Sequence, residues 1–158
     1  MNKLTIGLCV YNPNSNHGKA LHGFKGWVQE PLTYVEFDGF SSTAIRDKIF
    51  TLANTEYVLI MDCHVLIDTG ALRKLITFYD KGMDDGNLLQ GPLLYDDLKT
   101  VSTHFDLNKW GANMWGVWAT DNRGRKKDAK PFEIPAQGLG LYTCRKDSWL
   151  GFNSKFRG

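Results

Sequence analysis

The amino-acid sequence predicts an α/β fold in which a mostly parallel sheet is flanked by helices and followed by an irregular second half. Strand-like and helix-like segments alternate up to about Thr100, which is the order of a sheet with right-handed crossover helices. The segment Tyr57–Asp62 is apolar on both faces, as a central strand of a parallel sheet is. After Thr100, Trp-rich loops and a basic segment replace the regular alternation.

Four segments have the composition of strands. Leu4 to Tyr11 is rich in β-forming residues and stops at the turn cluster Asn12-Pro13-Asn14. The segments LTYVEF and YVLIMD follow as the second and third strands. NLLQGPLLYD is the fourth predicted strand, and Gly91-Pro92 interrupts it.

Two helices are predicted between these strands from capping residues and helical spacing. Ser41 or Ser42 is a candidate N-cap. Asp68 or Thr69 is the candidate N-cap of the other helix. The apolar positions expected to face the core are Ile45, Ile49 and Leu52 in the first helix, and Leu72, Leu75, Ile76 and Tyr79 in the second.

Composition limits the class of protein. A chain of 158 residues with 42% hydrophobic residues fits one domain, predicted over residues 1–158. The net charge of +2 gives no strong case for nucleic-acid binding, and no apolar run is long enough to cross a membrane. Three widely spaced cysteines and an N-terminus without a small-residue cleavage site favour a cytoplasmic location.

An acid and an imidazole, Asp62 and His64, lie two positions apart at the end of the third strand. Side chains alternate in an extended chain, so these two project to the same side. The carboxyl ends of strands are where ligands bind in open α/β sheets, and a carboxylate with an imidazole favours Mn²⁺ or Mg²⁺. In the alternative interpretation, Asp62 bonds loop amides and His64 is an ordinary surface histidine.

The stretch YVLIMDCH resembles the DxD metal motif of nucleotide-sugar-dependent glycosyltransferases of the GT-A fold. It is most similar to the DxH variant of the polypeptide N-acetylgalactosaminyltransferases, and family-2-like glycosyltransferases share the pattern. Four further segments resemble such enzymes in the same order: KLTIGLCVYN, DGFSSTAIRDKIFTLANTEYVLIMD, WGANMWGVW and PAQGLGLYTCRKDSWLGFNSKF. The resemblance implies a GT-A-like, Rossmann-related domain that transfers a hexose from a nucleotide-sugar donor, most simply a UDP-sugar, with Mn²⁺ or Mg²⁺ as cofactor.

The resemblance also implies roles for individual residues. Tyr11 and Asn12 would line the uridine pocket, and Asp38 would bond the base or ribose. Arg46 would approach the nucleotide or its phosphates, unless it is an ordinary solvated helix arginine. The remaining implied sites are the metal ligands Asp62 and His64 and the donor-sugar residues Gln137 and Gly138.

Several of these residues have simpler interpretations. Gly138 is equally suited to a β-bulge. Trp115 and Trp118 would stack on a sugar face, or pack in the core with Trp110. The basic segment DNRGRKKDAK carries five cationic residues in ten and is typical of a solvated loop, of a lid over the diphosphate, or of a surface for DNA.

The catalytic base is not identified, because the chain ends where the resembled families continue into their acceptor-side segment. Three functions are therefore expected in decreasing order. The first is a metal-dependent glycosyltransferase acting on an unknown acceptor, which is a glycan, a protein or a modified nucleic acid. The second is a truncated or non-catalytic nucleotide-sugar-binding module, and the third is a DNA-base-modifying glycosyltransferase.

Overall fold

Four strands form a mixed sheet in the computed structural model, which describes residues 3–10, 32–36, 42–62, 64–106 and 116–155. The elements in chain order are β1 (Leu4–Val10), β2 (Leu32–Glu36), α1 (Ser42–Leu52), β3 (Tyr57–Asp62), α2 (Thr69–Asp80), β4 (Leu93–Leu94), β5 (Val101–Ser102), β6 (His104–Asp106), β7 (Val117–Ala119) and β8 (Leu141–Arg145). Short 3₁₀ helices span Asn122–Arg125 and Lys146–Ser148.

The chain divides into two compact units, Met1–Leu89 with Gly140–Gly158, and Gln90–Leu139. The first unit contains the sheet, whose strand order is β2-β1-β3-β8. β1 pairs in parallel with β2 and β3, while β8 runs antiparallel to β3. The prediction of an α/β fold is confirmed at this level, and two of the three pairings in the sheet are parallel. That residues 1–158 form one domain stays a prediction.

The two helices pack on opposite faces of the sheet. Gly7 and Ile60 are register partners, and a Cβ on Gly7 would lie 2.2 Å from Ile49 of α1. The opposite face carries Tyr57, whose ring stacks on Tyr79 of α2 at 3.7 Å between centroids. Strand β3 is therefore buried on both sides, which explains why its sequence is a continuous apolar run.

The predicted cap of the second helix is confirmed. Asp68 is the N-cap of α2, and its side chain accepts a hydrogen bond from the Ala71 N–H at 3.1 Å. The other helix begins at Ser42. Ile45 and Ile49 are buried as predicted, but Leu52 is 53% exposed, because it lies in the last turn of α1.

The predicted fourth strand is not a strand of the main sheet. Leu93–Leu94 pairs antiparallel with Val101–Ser102 in a small hairpin, and Leu89 makes an isolated antiparallel bridge to Thr143. Pro92 lacks a backbone N–H and therefore limits ladder formation at the centre of the segment. The place beside β3 is taken by β8, which comes from much later in the sequence.

An aromatic cluster holds the C-terminal segment of the first unit against α1. Trp149 stacks on Phe50 of α1 with ring centroids 4.4 Å apart, and it also stacks on Tyr142. Its indole N–H donates to Asp47 Oδ1 at 2.8 Å, and the Phe152 N–H bonds the same carboxylate. Helix α1 is thus fixed on its outer side by residues that lie about a hundred positions later.

The second unit contains two antiparallel hairpins, β4–β5 and β6–β7. Phe105 and Trp118 are register partners in the second hairpin, and their ring centroids lie 4.1 Å apart. Within the described part of the chain, no helix is long and apolar enough to span a membrane.

Replacing Gly7 with Ala is expected to lower the free energy of unfolding by about 1 to 3 kcal/mol, because the new methyl group would overlap Ile49. Chemical denaturation of Gly7→Ala, Ile49→Ala and the double variant measures this effect. The loss caused by Gly7→Ala should shrink when Ile49 is already alanine. Equal losses in both backgrounds would contradict the packing described for α1.

Candidate functional site

Asp62 occupies the carboxyl end of β3, on the sheet face that carries α1. Its backbone N–H donates to the Gly140 carbonyl oxygen at 2.9 Å, and its register partner in β1 is Cys9. Its side chain is 25% exposed. The position is the one predicted from the sequence, the edge of the sheet where strands of α/β proteins present ligand-binding groups.

Arg46 reaches Asp62 from helix α1. Its Nη2 donates to Asp62 Oδ1 at 2.7 Å, and the Arg46 side chain is only 5% exposed. A buried guanidinium needs a charged partner, because leaving it unpaired would be costly. The predicted contact of Arg46 with a nucleotide stays a prediction, but the structure gives this side chain a role in holding the carboxylate.

His64 lies beside the other oxygen of the same carboxylate. Its Nε2 is 4.0 Å from Asp62 Oδ2, and its side chain is 59% exposed. The two side chains therefore face each other, although β3 ends at Asp62 and His64 lies in the turn that follows it. At this distance the pair is not hydrogen-bonded, so the gap between them is wide enough for a bridging group.

The environment of Asp62 shifts its protonation equilibrium. Burial raises the pKa of the Asp62 carboxyl above its usual value, and the Arg46 guanidinium and His64 act in the opposite direction. One face of the carboxylate lies against the sheet and helix and is shielded from water, which favours the neutral form of the group. Arg46 thus favours the anionic form of this carboxyl.

The donor set agrees with a divalent ion held by two protein ligands. Adjacent ligands of an octahedral ion lie about 3 Å apart when each bond is about 2.1 Å, whereas Asp62 Oδ2 and His64 Nε2 are 4.0 Å apart. A closer approach of the 59% exposed His64 side chain would bring the pair to that separation. Among the described residues no group of three or more His, Cys, Asp or Glu side chains surrounds an ion site.

The donor-sugar residues predicted from the resemblance lie in or next to a packed aromatic pair of the second unit. The Gly138 N–H donates to Gln90 Oε1 at 2.9 Å, and Gln90 Nε2 donates to the Thr103 carbonyl oxygen at 3.1 Å. A Cβ on Gly138 would lie 2.6 Å from the Trp118 ring. Packing against Trp118 is therefore sufficient to explain this glycine, and sugar contacts of Gln137, Gly138 and Trp118 stay predictions.

The basic segment has internal structure. Arg123 donates to both carboxylate oxygens of Asp121, with an Nη2–Oδ2 distance of 2.8 Å, and its guanidinium lies 4.1 Å from the centre of the Phe132 ring. Hydrogen bonds from the Arg123 side chain and backbone lower the pKa of Asp121 to about 2. Because Arg123 already has an anionic partner, it is a weaker candidate for a phosphate contact than the sequence alone indicated.

Four predicted site residues lie outside the described residues: Tyr11, Asn12, Asp38 and Trp115. Of the others, the structure brings together Arg46, Asp62 and His64. Sequence reasoning missed Gly140, whose carbonyl group holds the Asp62 backbone. Its only signal in the sequence was its place next to the Gly138 segment.

No family model matches the chain, and no curated protein matches it. Among solved structures, the crystal structure of A197 from STIV is similar, with a TM-score of 0.45 and 12% sequence identity. The alignment covers 92% of this chain and 65% of that protein. At that TM-score the similarity supports no conclusion about function.

Replacing Arg46 with Gln is expected to raise the pKa of Asp62 further, because the group that lowers it most is removed. A carboxyl whose pKa is raised in the folded state contributes stability below its unfolded pKa of 3.8 and loses it as pH rises through the folded value. The destabilisation by Arg46→Gln should therefore grow with pH, reaching about 3 kcal/mol near neutrality.

Denaturation of the wild type and Arg46→Gln at about pH 4.5 and about pH 7.5 measures this difference. The matched control is Arg46→Gln combined with Asp62→Asn, in which the extra loss at the higher pH should disappear. A loss that is the same at both pH values would show that Arg46 acts through packing alone.

Proposed function

We propose that this protein is a metal-dependent glycosyltransferase of GT-A type that uses a nucleotide-activated hexose, most simply a UDP-sugar. The observation that carries the proposal is the arrangement of Asp62 and His64. Asp62 Oδ2 and His64 Nε2 lie 4.0 Å apart at the carboxyl edge of the sheet. Arg46 binds the other carboxylate oxygen, Asp62 Oδ1. The order of sequence motifs that resemble GT-A enzymes supports the same conclusion.

Asp62 and His64 would hold a divalent ion. When bound, such an ion stabilises the negative charge that develops on a departing nucleoside diphosphate. The protein's own contribution is to fix Asp62. Its backbone is bonded to Gly140 and its Oδ1 to Arg46, so Oδ2 is oriented before a ligand arrives, and little reorganisation remains for the binding step.

The charges of the site favour an anionic ligand together with the ion. The Arg46 guanidinium balances the Asp62 carboxylate, and His64 would add a donor without adding charge, because histidine binds a metal ion as the neutral imidazole. Two protein donors with no net negative charge are a weak site for a lone divalent ion. A diphosphate would supply both further oxygen donors and the missing negative charge.

UDP with Mn²⁺ is expected to stabilise the protein thermally, whereas neither alone should do so to a comparable extent. At a ligand concentration of about 100 times the dissociation constant the gain is about 2.7 kcal/mol, which corresponds to a shift of roughly 5 to 10 °C for a chain of this size. Differential scanning fluorimetry with UDP, ADP, GDP and the UDP-sugars, each with Mn²⁺ or Mg²⁺, measures it.

Asp62→Ala should abolish this shift. Asp121→Ala is the matched control, since it removes another arginine-paired carboxylate, one in the second unit, and should leave the shift intact. If no combination of nucleotide and metal stabilises the wild type, the proposed function is wrong.

Binding of Mn²⁺ and of the diphosphate is expected to be mutually cooperative. Pyrophosphate should increase the affinity for Mn²⁺ by about tenfold or more, and Mn²⁺ should increase the affinity for pyrophosphate by the same factor. The signal of free Mn²⁺ in electron paramagnetic resonance reports the first affinity, and calorimetry reports the second. Tight Mn²⁺ binding that pyrophosphate does not change would contradict the argument that Arg46 balances the charge of Asp62 and leaves the site with no net negative charge.

A further inference from the structure

Gly140 lies directly against the carboxylate of Asp62. It immediately precedes β8, and its carbonyl oxygen accepts the Asp62 N–H at 2.9 Å. A Cβ built on Gly140 would lie 3.3 Å from Asp62 Oδ2. This is the oxygen on the His64 side, whereas Arg46 binds Oδ1.

The backbone conformation does not require glycine at this position. The described glycines with φ in the left-handed region are Gly82, Gly86 and Gly151. Gly140 is not among them, so its φ does not require glycine.

Core packing does not require glycine either. A Cβ would overlap buried side chains at other positions, lying 2.2 Å from Ile49 at Gly7 and 2.5 Å from Thr103 at Gly124. At Gly140 the one atom of the described residues within 4 Å is Asp62 Oδ2. As far as the described residues show, the missing side chain therefore leaves space beside that oxygen.

We propose that Gly140 is a positioning residue that keeps Asp62 Oδ2 open to a cation carried by a diphosphate ligand. This inference rests on the proposed function. It adds the direction from which the cation would approach Asp62 Oδ2, between Gly140 and His64. A methyl group at position 140 would press on the oxygen and exclude part of the coordination sphere from that side. Groups around a metal ligand commonly change metal affinity about 10- to 100-fold when altered.

The test measures binding of Mn²⁺ with pyrophosphate to the full chain by calorimetry, together with the thermal midpoint without ligand. Gly140→Ala is expected to lower the affinity about tenfold while the midpoint stays within about a degree of the wild type. Gly140→Val places a larger side chain at the same point and should lower the affinity further.

Gly82→Ala is the reciprocal control. Gly82 has φ of +61° with no atom within 4 Å of its added Cβ among the described residues. Its substitution introduces backbone strain away from the site. It should lower the midpoint by roughly 2 to 4 °C and leave the affinity unchanged.

The outcomes separate this inference from the proposed function. If Gly140→Ala binds like the wild type while Asp62→Asn does not bind, the role of Gly140 is wrong and the proposed function stands. If Gly140→Ala lowers the midpoint as much as Gly82→Ala, Gly140 serves folding and the inference is wrong. Absence of Mn²⁺–pyrophosphate binding by the wild type overturns both.

Discussion

The ion pair between Arg46 and Asp62 is the interaction on which the candidate site depends. A guanidinium with a side chain only 5% exposed needs a counter-ion, and Asp62 supplies one at 2.7 Å. The pair joins helix α1 to the end of the central strand and makes the two carboxylate oxygens unequal. Oδ1 faces inward to Arg46, and Oδ2 faces outward to His64. The binding chemistry proposed for the site belongs to the second oxygen.

Arg46 can bind only one of the two Asp62 oxygens if helix α1 is held in a defined position. Contacts on both sides of the helix hold it there. On the inner side, Gly7 allows Ile49 to approach the sheet more closely than any larger residue would. On the outer side, Asp47 accepts the Trp149 indole N–H. Since Asp47 follows Arg46 directly in the chain, this contact lies next to the ion pair. Core packing at Gly7 and the partly buried hydrogen bonds to Asp47 therefore support the candidate site.

The sequence predicted contacts between residues that are close together in the chain, and it missed contacts between residues that are far apart. The two-residue spacing of Asp62 and His64 is local, and their side chains do lie close together. The predicted extended chain through both residues is wrong, because β3 ends at Asp62 and the Val65 N–H bonds the Asp62 carbonyl oxygen in a turn. The Asp68 cap is also local and was predicted. The Arg46–Asp62 pair was missed because it spans 16 positions and depends on which face of α1 meets the sheet. The place of β8 beside β3 was missed for the same reason, since antiparallel pairing with a late segment leaves no local signal.

Gly138 and Gly140 show why local sequence cannot identify a site of this kind. They are two positions apart in the same segment, and the sequence alone does not distinguish their roles. Gly138 is required by the ring of Trp118, whereas Gly140 is adjacent to the carboxylate of Asp62. Trp118 and Asp62 are distant in sequence from these glycines, so the contact that each glycine makes can be recognised only in the folded structure. A small residue that packing and backbone conformation explain is part of the core. One that neither explains, and that borders an oriented carboxylate oxygen, points to a ligand.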